Sequence, residues 1–207
     1  MAGQTTNYLF DYPTSTDYVK DGATAIQTLA TDVDTTLFTA LGGAYPGLRL
    51  IKKQTIGSAV SSVNVTSAFS TTYENYKIVL SGGVASTNGV ALALQIGNAS
   101  SNYYGALSVV VYGANSTSTA TDNNASRFTY SGYGTSSNLD MTMDVQSPFL
   151  AKNTMAKALY VSSVPGGSAG YYCGFLNNTT SYTDFTIIPT AGTITGGTIY
   201  VYGYGAS

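Results

Sequence analysis
The chain has no histidine, no tryptophan, one cysteine and one glutamate, and only 9% of its residues are charged. The missing histidine removes Ser-His-Asp and Cys-His nucleophile pairs and every histidine metal site together. Cys173, in Tyr171-Tyr-Cys-Gly-Phe175, has no partner for an intrachain disulfide and reads as a small strand hydrophobe rather than a nucleophile. With Glu74 the sole glutamate, a carboxylate pair for glycoside cleavage would have to come from aspartates. Asp140 and Asp144 share one strand face, but four strand residues separate them by roughly 13 Å. Glycosidase pairs lie about 5 to 9.5 Å apart, so this pair fails on geometry. Asp122, Asn123 and Asn124 offer oxygens to calcium, yet no EF-hand spacing is present and a polar turn is the better reading. The expectation is no catalytic residue, no cofactor-binding residue, no metal ligand and no enzyme.

The low charge also bears on partners. A typical soluble domain carries roughly 25% charged residues. Here 8 basic and 10 acidic side chains give a net charge of −2, and neither end of the chain concentrates one sign. A nucleic-acid partner needs a Lys/Arg stripe to displace counterions, so none is expected. No apolar run is long enough to span a bilayer, and the opening Met1-Ala-Gly-Gln-Thr-Thr-Asn7 has neither a basic nor an apolar leader region, so neither membrane insertion nor a secretory signal is expected. Asn-x-Ser/Thr sequons at Asn64, Asn98, Asn115, Asn124, Asn177 and Asn178 then read as by-products of an Asn/Ser/Thr-rich composition. Such a neutral, hydroxyl-rich surface suits a protein that lives inside an assembly or outside a cell better than a freely diffusing cytosolic enzyme.

What the chain does contain falls into two parts. Tyr8, Leu9, Phe10, Tyr12 and Pro13 belong to an extended, aromatic-rich arm that cannot build its own core and should lie on another surface, as an anchor. Ile26, Leu29, Val33, Leu37 and Leu41 (or Ala40) then recur at the helical spacing of three and four. This predicts a helix over 21–41 with Asp21 as N-cap and Gly42-Gly43 as its stop. The stripe is narrow and alternates with Thr and Asp, like a coiled-coil seam of under three heptads, so Ile26, Leu29, Val33 and Leu37 are expected to meet sister chains. The alternative is that the helix packs on its own domain. The turn cluster Gly42 to Gly47 sets the boundary between 1–47 and 48–207.

From there the pattern is β to the end. Leu48, Leu50 and Ile56 flank a first strand. Strands follow at 76–80, 90–96, 103–112, 127–130, 139–145, 158–164, 171–176, 185–188 and 198–204. In Leu139-Asp-Met-Thr-Met-Asp-Val145 the apolar residues all point one way. Gly, Asn and Ser clusters separate the strands, notably 113–126, and Gly196-Gly197 reads as a hairpin turn. Tyr73 and Tyr76 suit a turn feeding a strand whose Ile78 and Leu80 face the core. Nine or ten short strands so punctuated predict a mainly β chain: an antiparallel, jelly-roll-like sandwich head behind the arm and one short α-helix. Tyr130 and Tyr133, and Tyr200, Tyr202 and Tyr204 along the last strand, are candidates for stacking on a sugar face. The competing reading packs these rings between sheets or subunits, and the absence of Trp favours it.

Three stretches resemble segments of bacteriophage virion proteins. Thr5-Thr-Asn-Tyr-Leu-Phe-Asp-Tyr-Pro13, followed by Asp17-Tyr-Val and Gly22-Ala-Thr-Ala-Ile-Gln-Thr-Leu-Ala30, is similar to the N-terminal arm and helix of phage tail and fibre proteins. Leu9-Phe10 stands where Trp is common in that family. Phe69-Ser-Thr-Thr-Tyr-Glu-Asn-Tyr-Lys-Ile-Val-Leu80 resembles a strand-opening motif of fibre heads, and Ile194-Thr-Gly-Gly-Thr-Ile-Tyr-Val-Tyr-Gly-Tyr204 their closing strand. The resemblance implies a homotrimer in the virion, held to other virion proteins by its N-terminus and carrying a β-rich head. It carries over no catalytic or receptor residue. The functional expectation is a short tail fibre or adhesion subunit that meets a host-surface glycan or protein. A capsid decoration or head-fibre protein is the alternative, and a polysaccharide-degrading enzyme a minor one.

Overall fold
The computed structural model of the chain describes residues 3–6, 9–12, 14, 18–40 and 47–205. Tyr8, Pro13, Leu41 and the turn cluster 42–46 lie outside these residues. The chain divides into two compact units, Met1–Gly47 with Gly205–Ser207, and Leu48–Tyr204.

In the first unit the arm folds back on itself. β1 (Gly3–Gln4) pairs antiparallel with β2 (Asp11–Tyr12), with Gly3 opposite Tyr12. Thr5 closes the loop: its N–H donates to the Phe10 carbonyl (3.0 Å), and its Oγ1 accepts the Phe10 N–H (2.9 Å). A 3-10 turn, Val19–Asp21, runs straight into α1 (Gly22–Ala40). Asp21 therefore lies inside that turn and is not the N-cap its position promised. Within α1 the hydroxyls of Thr28 and Thr31 donate to the carbonyls four residues back, at 3.0 and 2.9 Å. Back-bonding of this kind gives the threonine hydroxyl a partner inside the helix at a slight cost in helix stability. The helix packs on β2.

The second unit is a β-sandwich. Its strands are β3 (Gly47–Thr55), β4 (Val63–Val65), β5 (Asn75–Ser81), β6 (Val84–Ala85), β7 (Val90–Ile96), β8 (Tyr103–Val111), β9 (Ser116–Ala125), β10 (Phe128–Gly134), β11 (Leu139–Gln146), β12 (Thr154–Val161), β13 (Ser168–Leu176), β14 (Phe185–Pro189), β15 (Ile194–Thr195) and β16 (Thr198–Gly205). One sheet runs β3-β16-β5-β11-β12-β13-β8-β9 and the other β4-β14-β7-β10. They join where the start of β11 hairpins back on β10, Gly134 opposite Leu139. Numbering β3, β4, β5, β7, β10, β11, β14 and β16 one to eight, the two sheets contain the orders 1-8-3-6 and 2-7-4-5. That is the double Greek key of a jelly roll. Two inserted hairpins, β8–β9 and β12–β13, extend the first sheet beyond β11.

Alternation drives this arrangement. In β11, Leu139, Met141, Met143 and Val145 are buried while Asp140, Thr142 and Asp144 face outward. In β5, Tyr76, Ile78 and Leu80 point into the same core. The Tyr76 hydroxyl donates to the Ser70 carbonyl (2.9 Å) and accepts the Ser70 N–H (2.8 Å), fixing the turn before β5. Tyr103, also buried, stands edge-on to Phe128 at 4.8 Å and accepts the Ile96 N–H with its hydroxyl at 2.8 Å. Both of these buried phenols thus keep a partner for the polar end.

Two features depart from the sequence reading. The stretch 113–126, read as a loop, contains β9. Ser116-Thr-Ser-Thr-Ala-Thr-Asp-Asn-Asn-Ala125 has no apolar alternation because it is the outermost strand of its sheet, held by backbone bonds to β8. Gly196-Gly197 is not a hairpin turn either. β15 pairs with β6 and β16 with β5, so the β5–β6 and β15–β16 segments form one ribbon, kinked where Gly82-Gly83 faces Gly196-Gly197. All four have positive φ, between +67° and +87°. A Cβ on Gly83 would stand 2.3 Å from the Gly196 carbonyl oxygen, and one on Gly197 2.4 Å from that of Gly82.

A third group closes the sandwich at its far edge. Asp122 of β9 is buried, and its carboxylate accepts the Thr129 N–H (2.9 Å) and hydroxyl (2.7 Å) from β10 and the Tyr172 hydroxyl (2.7 Å) from β13. The Tyr172 ring lies where a Cβ on Gly105 would be, 2.2 Å from its hydroxyl. Burial, with the Asp122 carboxylate as acceptor, pushes the Tyr172 phenol far above its usual range.

Two stability measurements follow from these contacts. Gly83→Ala or Gly197→Ala should each lower the unfolding free energy by about 2–4 kcal/mol, seen as a drop in urea midpoint. Gly113→Ala, at φ +73° with open space around it, should cost only about 1–2 kcal/mol; equal losses at all three sites would mean that the kink yields freely. Asp122→Ala strands three donors, the N–H and hydroxyl of Thr129 and the buried hydroxyl of Tyr172, and should cost about 3 kcal/mol or more. Tyr172→Phe should cost less, and the double variant less than the two singles added; strict additivity would show that the pair does not act as a unit.

Candidate binding surface
The polar chemistry of the second unit gathers on the outward face of the larger sheet, where β16, β5, β11 and β12 lie side by side. Cross-strand register sets Tyr202 beside Lys77, Lys77 beside Asp144, and Asp144 beside Lys157. Asp144 is the hub. Its Oδ1 accepts the Tyr204 hydroxyl at 2.5 Å and the Lys77 ammonium at 3.3 Å. Among the described residues its Oδ2 has no donor, and Lys157 has no ion-pair partner. Asn75, Asp144, Gln146, Lys157 and Tyr204 line an open cleft of about 280 Å³ over the backbone of Tyr76 and Val145. Along the neighbouring strand the rings of Tyr200 and Tyr202 stack at 6.4 Å, with the Lys53 ammonium 5.9 Å from the Tyr200 centroid.

This set offers a carboxylate oxygen, two amides, an ammonium and an aromatic edge within one shallow site. That is the complement of a polyhydroxylated ligand, which needs several donors and acceptors and an apolar ring to lie against. It offers no nucleophile–base pair. Asp140, on the same face, has its carboxyl held above the usual range by burial. Glu74 is tied to the Lys152 ammonium at 2.6 Å and accepts the Ser147 hydroxyl at 3.2 Å; the Lys152 contact holds its carboxyl below the usual range. Among the described residues no three His, Cys, Asp or Glu side chains gather to hold a metal. Asp122, the calcium candidate, spends its oxygens on Thr129 and Tyr172.

The sequence candidates fall in different places. Tyr130 and Tyr133 are half-buried and do not form an exposed pair: Tyr133 stands edge-on to Tyr160 at 5.3 Å, and Tyr130 packs toward Tyr172 at 6.1 Å. The register of β10 against β7 shifts between Phe128 and Gly132, so both rings escape simple alternation and meet the core. The outward aromatic row is instead Tyr200, Tyr202 and Tyr204. Period-two alternation with the buried Ile199 and Val201 was its signal in the sequence. Gln146 follows Asp144 by two on the same outward face of β11, whereas Asn75 and Lys157 carried no such signal, because only the register brings them to Asp144. In the first unit Leu9 and Tyr12 are exposed and Phe10 half-buried. Of the seam residues, Ile26 (64% exposed) and Leu37 (56%) are open to solvent, with Leu29 and Val33 half-buried. Phe38, outside the expected stripe, is also exposed. Cys173 is exposed on β13 rather than buried.

No family model, curated protein or solved structure matches the chain. The fold class and the site geometry are therefore what any reading of function rests on.

The cleft makes one titration prediction. Burial and the bond to Asp144 push the Tyr204 phenol up to about 12. A raised phenol pKa favours the folded state below the ordinary value near 10, and that contribution is lost as pH climbs through about 12. In Asp144→Asn the Tyr204 midpoint, followed by the ring Cζ resonance of ¹³C-tyrosine protein, should fall back toward 10. An unmoved midpoint would mean that Asp144 does not hold the phenol.

Proposed function
We propose that this chain is a non-enzymatic structural protein of a bacteriophage virion, a short tail-fibre or adhesion subunit. The observation that supports it best is the pairing of a jelly-roll head with a separate small unit whose helix leaves Ile26, Leu37 and Phe38 exposed. An isolated subunit has no use for large apolar side chains in water, whereas a subunit of a particle covers them with neighbours. Jelly rolls recur in viral capsid and lectin domains. That support is fold-level analogy, which speaks for the class and not for a particular ligand.

On this reading residues 1–20 attach to other virion proteins through Leu9, Phe10, Tyr12 and their neighbours. The helix gathers sister chains, three in the arrangement the sequence resemblance implies. The head presents the cleft around Asp144 and Tyr204 to a host-surface glycan. The carboxylates favour binding over cleavage, since Glu74 and Asp122 are both engaged in holding the fold. Capsid decoration shares every one of these features except location, so location is the test. Gold-labelled antibody against this protein, applied to purified particles and viewed by electron microscopy, should decorate the tail tip. Gold over the shell would make it a decoration protein, and particles that carry none would end the virion reading.

A further inference from the structure
The ions of the cleft are unequally used. Lys77, Asp144 and Lys157 stand side by side on β5, β11 and β12, so two cations share one anion. Lys77 takes it: its ammonium lies 3.3 Å from Asp144 Oδ1, the oxygen that also accepts the Tyr204 hydroxyl. Lys157 is as near in register, directly opposite Asp144, where paired Cα atoms lie about 4.5–5.5 Å apart. It nevertheless makes no ion pair with Asp144. Both residues line the cleft, one with an uncommitted ammonium and the other with an uncommitted oxygen, Oδ2.

Nothing nearby balances the spare cation. The next carboxylate on the face, Asp140, is four residues along β11 from Asp144, roughly 13 Å away. Lys157 has Met155 and Leu159 two residues either way along β12, and Cys173 opposite on β13. Met155, Leu159, Val161 and Tyr171 are exposed and make an apolar patch beyond it. The ammonium therefore stands where the polar cleft ends, with its only anionic neighbour held by another lysine.

We infer that the cleft takes a sugar that bears a carboxylate, a residue of an acidic glycan. Its carboxylate would sit on the Lys157 ammonium, and an adjacent sugar hydroxyl would donate to Asp144 Oδ2. The inference rests on the reading of the cleft as a glycan site and names the class of sugar. An ammonium only donates and an ionised carboxylate only accepts. The ligand must therefore bring an acceptor to Lys157 and a donor to Asp144. The hydroxyls of a neutral sugar meet both needs, but an anionic acceptor makes a bond to the ammonium roughly twice as strong. It also leaves Lys77, Asp144, Lys157 and the ligand without net charge. A phosphate does not, since its charge of about −1.5 to −2 exceeds the one spare cation and stands against Asp144. The amides of Asn75 and Gln146 both donate and accept, and so serve the hydroxyls around the carboxylate.

The test measures binding of the full-length chain to oligosaccharides containing galacturonate, glucuronate, mannuronate or sialate. Each is paired with its carboxyl-reduced form, and phosphomannan serves as the phosphate probe. At low ionic strength at least one acid should bind about tenfold tighter than its reduced form. The gap should narrow in about 1 M salt, where screening acts within about 3 Å. Lys157 is exposed, so Lys157→Gln should keep the circular dichroism spectrum, close the gap and leave the reduced form bound as before. Lys152→Gln, at a cation tied to Glu74 outside the cleft, should keep the gap. Acid and reduced forms bound alike would overturn the inference and leave the cleft a glycan site. So would phosphomannan bound in preference to every acid, or a gap that survives Lys157→Gln. Binding of none of the oligosaccharides would remove the glycan reading of the cleft together with the inference.

Discussion
One buried carboxylate ties the far edge of the larger sheet back to the smaller one. The larger sheet grows past β11 by four strands, and Asp122, on the outermost of them, adds polar bonds to the apolar contact of Tyr103 and Tyr172 with Phe128. From the last strand it reaches both the edge strand of the smaller sheet, through Thr129, and the neighbouring hairpin, through Tyr172. A carboxylate removed from water is costly unless its lone pairs are filled, and here three donors fill them. The same bond explains Gly105 and Gly174, each of which leaves room for the Tyr172 phenol on its way to Asp122. The position was visible in the sequence only as an aspartate among asparagines, which is why it read as a turn.

Legibility followed periodicity. β5, β7, β8, β11, β13, β14 and β16 were read within a few residues, because each buries one face and alternates or runs apolar. β9 failed for the converse reason: an edge strand needs backbone partners but no apolar face. β4, at three residues, is too short to show a period. Gly196-Gly197 was read as a reversal because local sequence cannot tell a hairpin from a kink. The difference lies in Gly82-Gly83, more than a hundred residues away, whose backbone it meets. Tyr130 and Tyr133 were misplaced by a shift of register within β10, a feature that depends on β7 and leaves no mark on the strand itself.

The candidate site was legible only in part. Tyr200, Tyr202 and Tyr204 announced an outward aromatic row, and Asp140 and Asp144 announced an outward acidic one. That the two meet, with Lys77 and Lys157 on either side of Asp144, is a fact of strand pairing, 60 residues away for Tyr204, 67 for Lys77 and 13 for Lys157. The separation also sets the chemistry. Asp144 stands between cations and accepts a phenol, so it is held as a fixed acceptor, which suits recognition of hydroxyls rather than proton transfer.

The polar cleft and the apolar patch share one sheet face, and the boundary between them runs along β12. Lys157 stands on that boundary, between Asp144 on one side and Cys173 on the other. Toward Asp144 the outward side chains are ionic, amide or hydroxyl, and toward Cys173 they are apolar, thiol or phenol, so the two halves of one sheet face meet water on different terms.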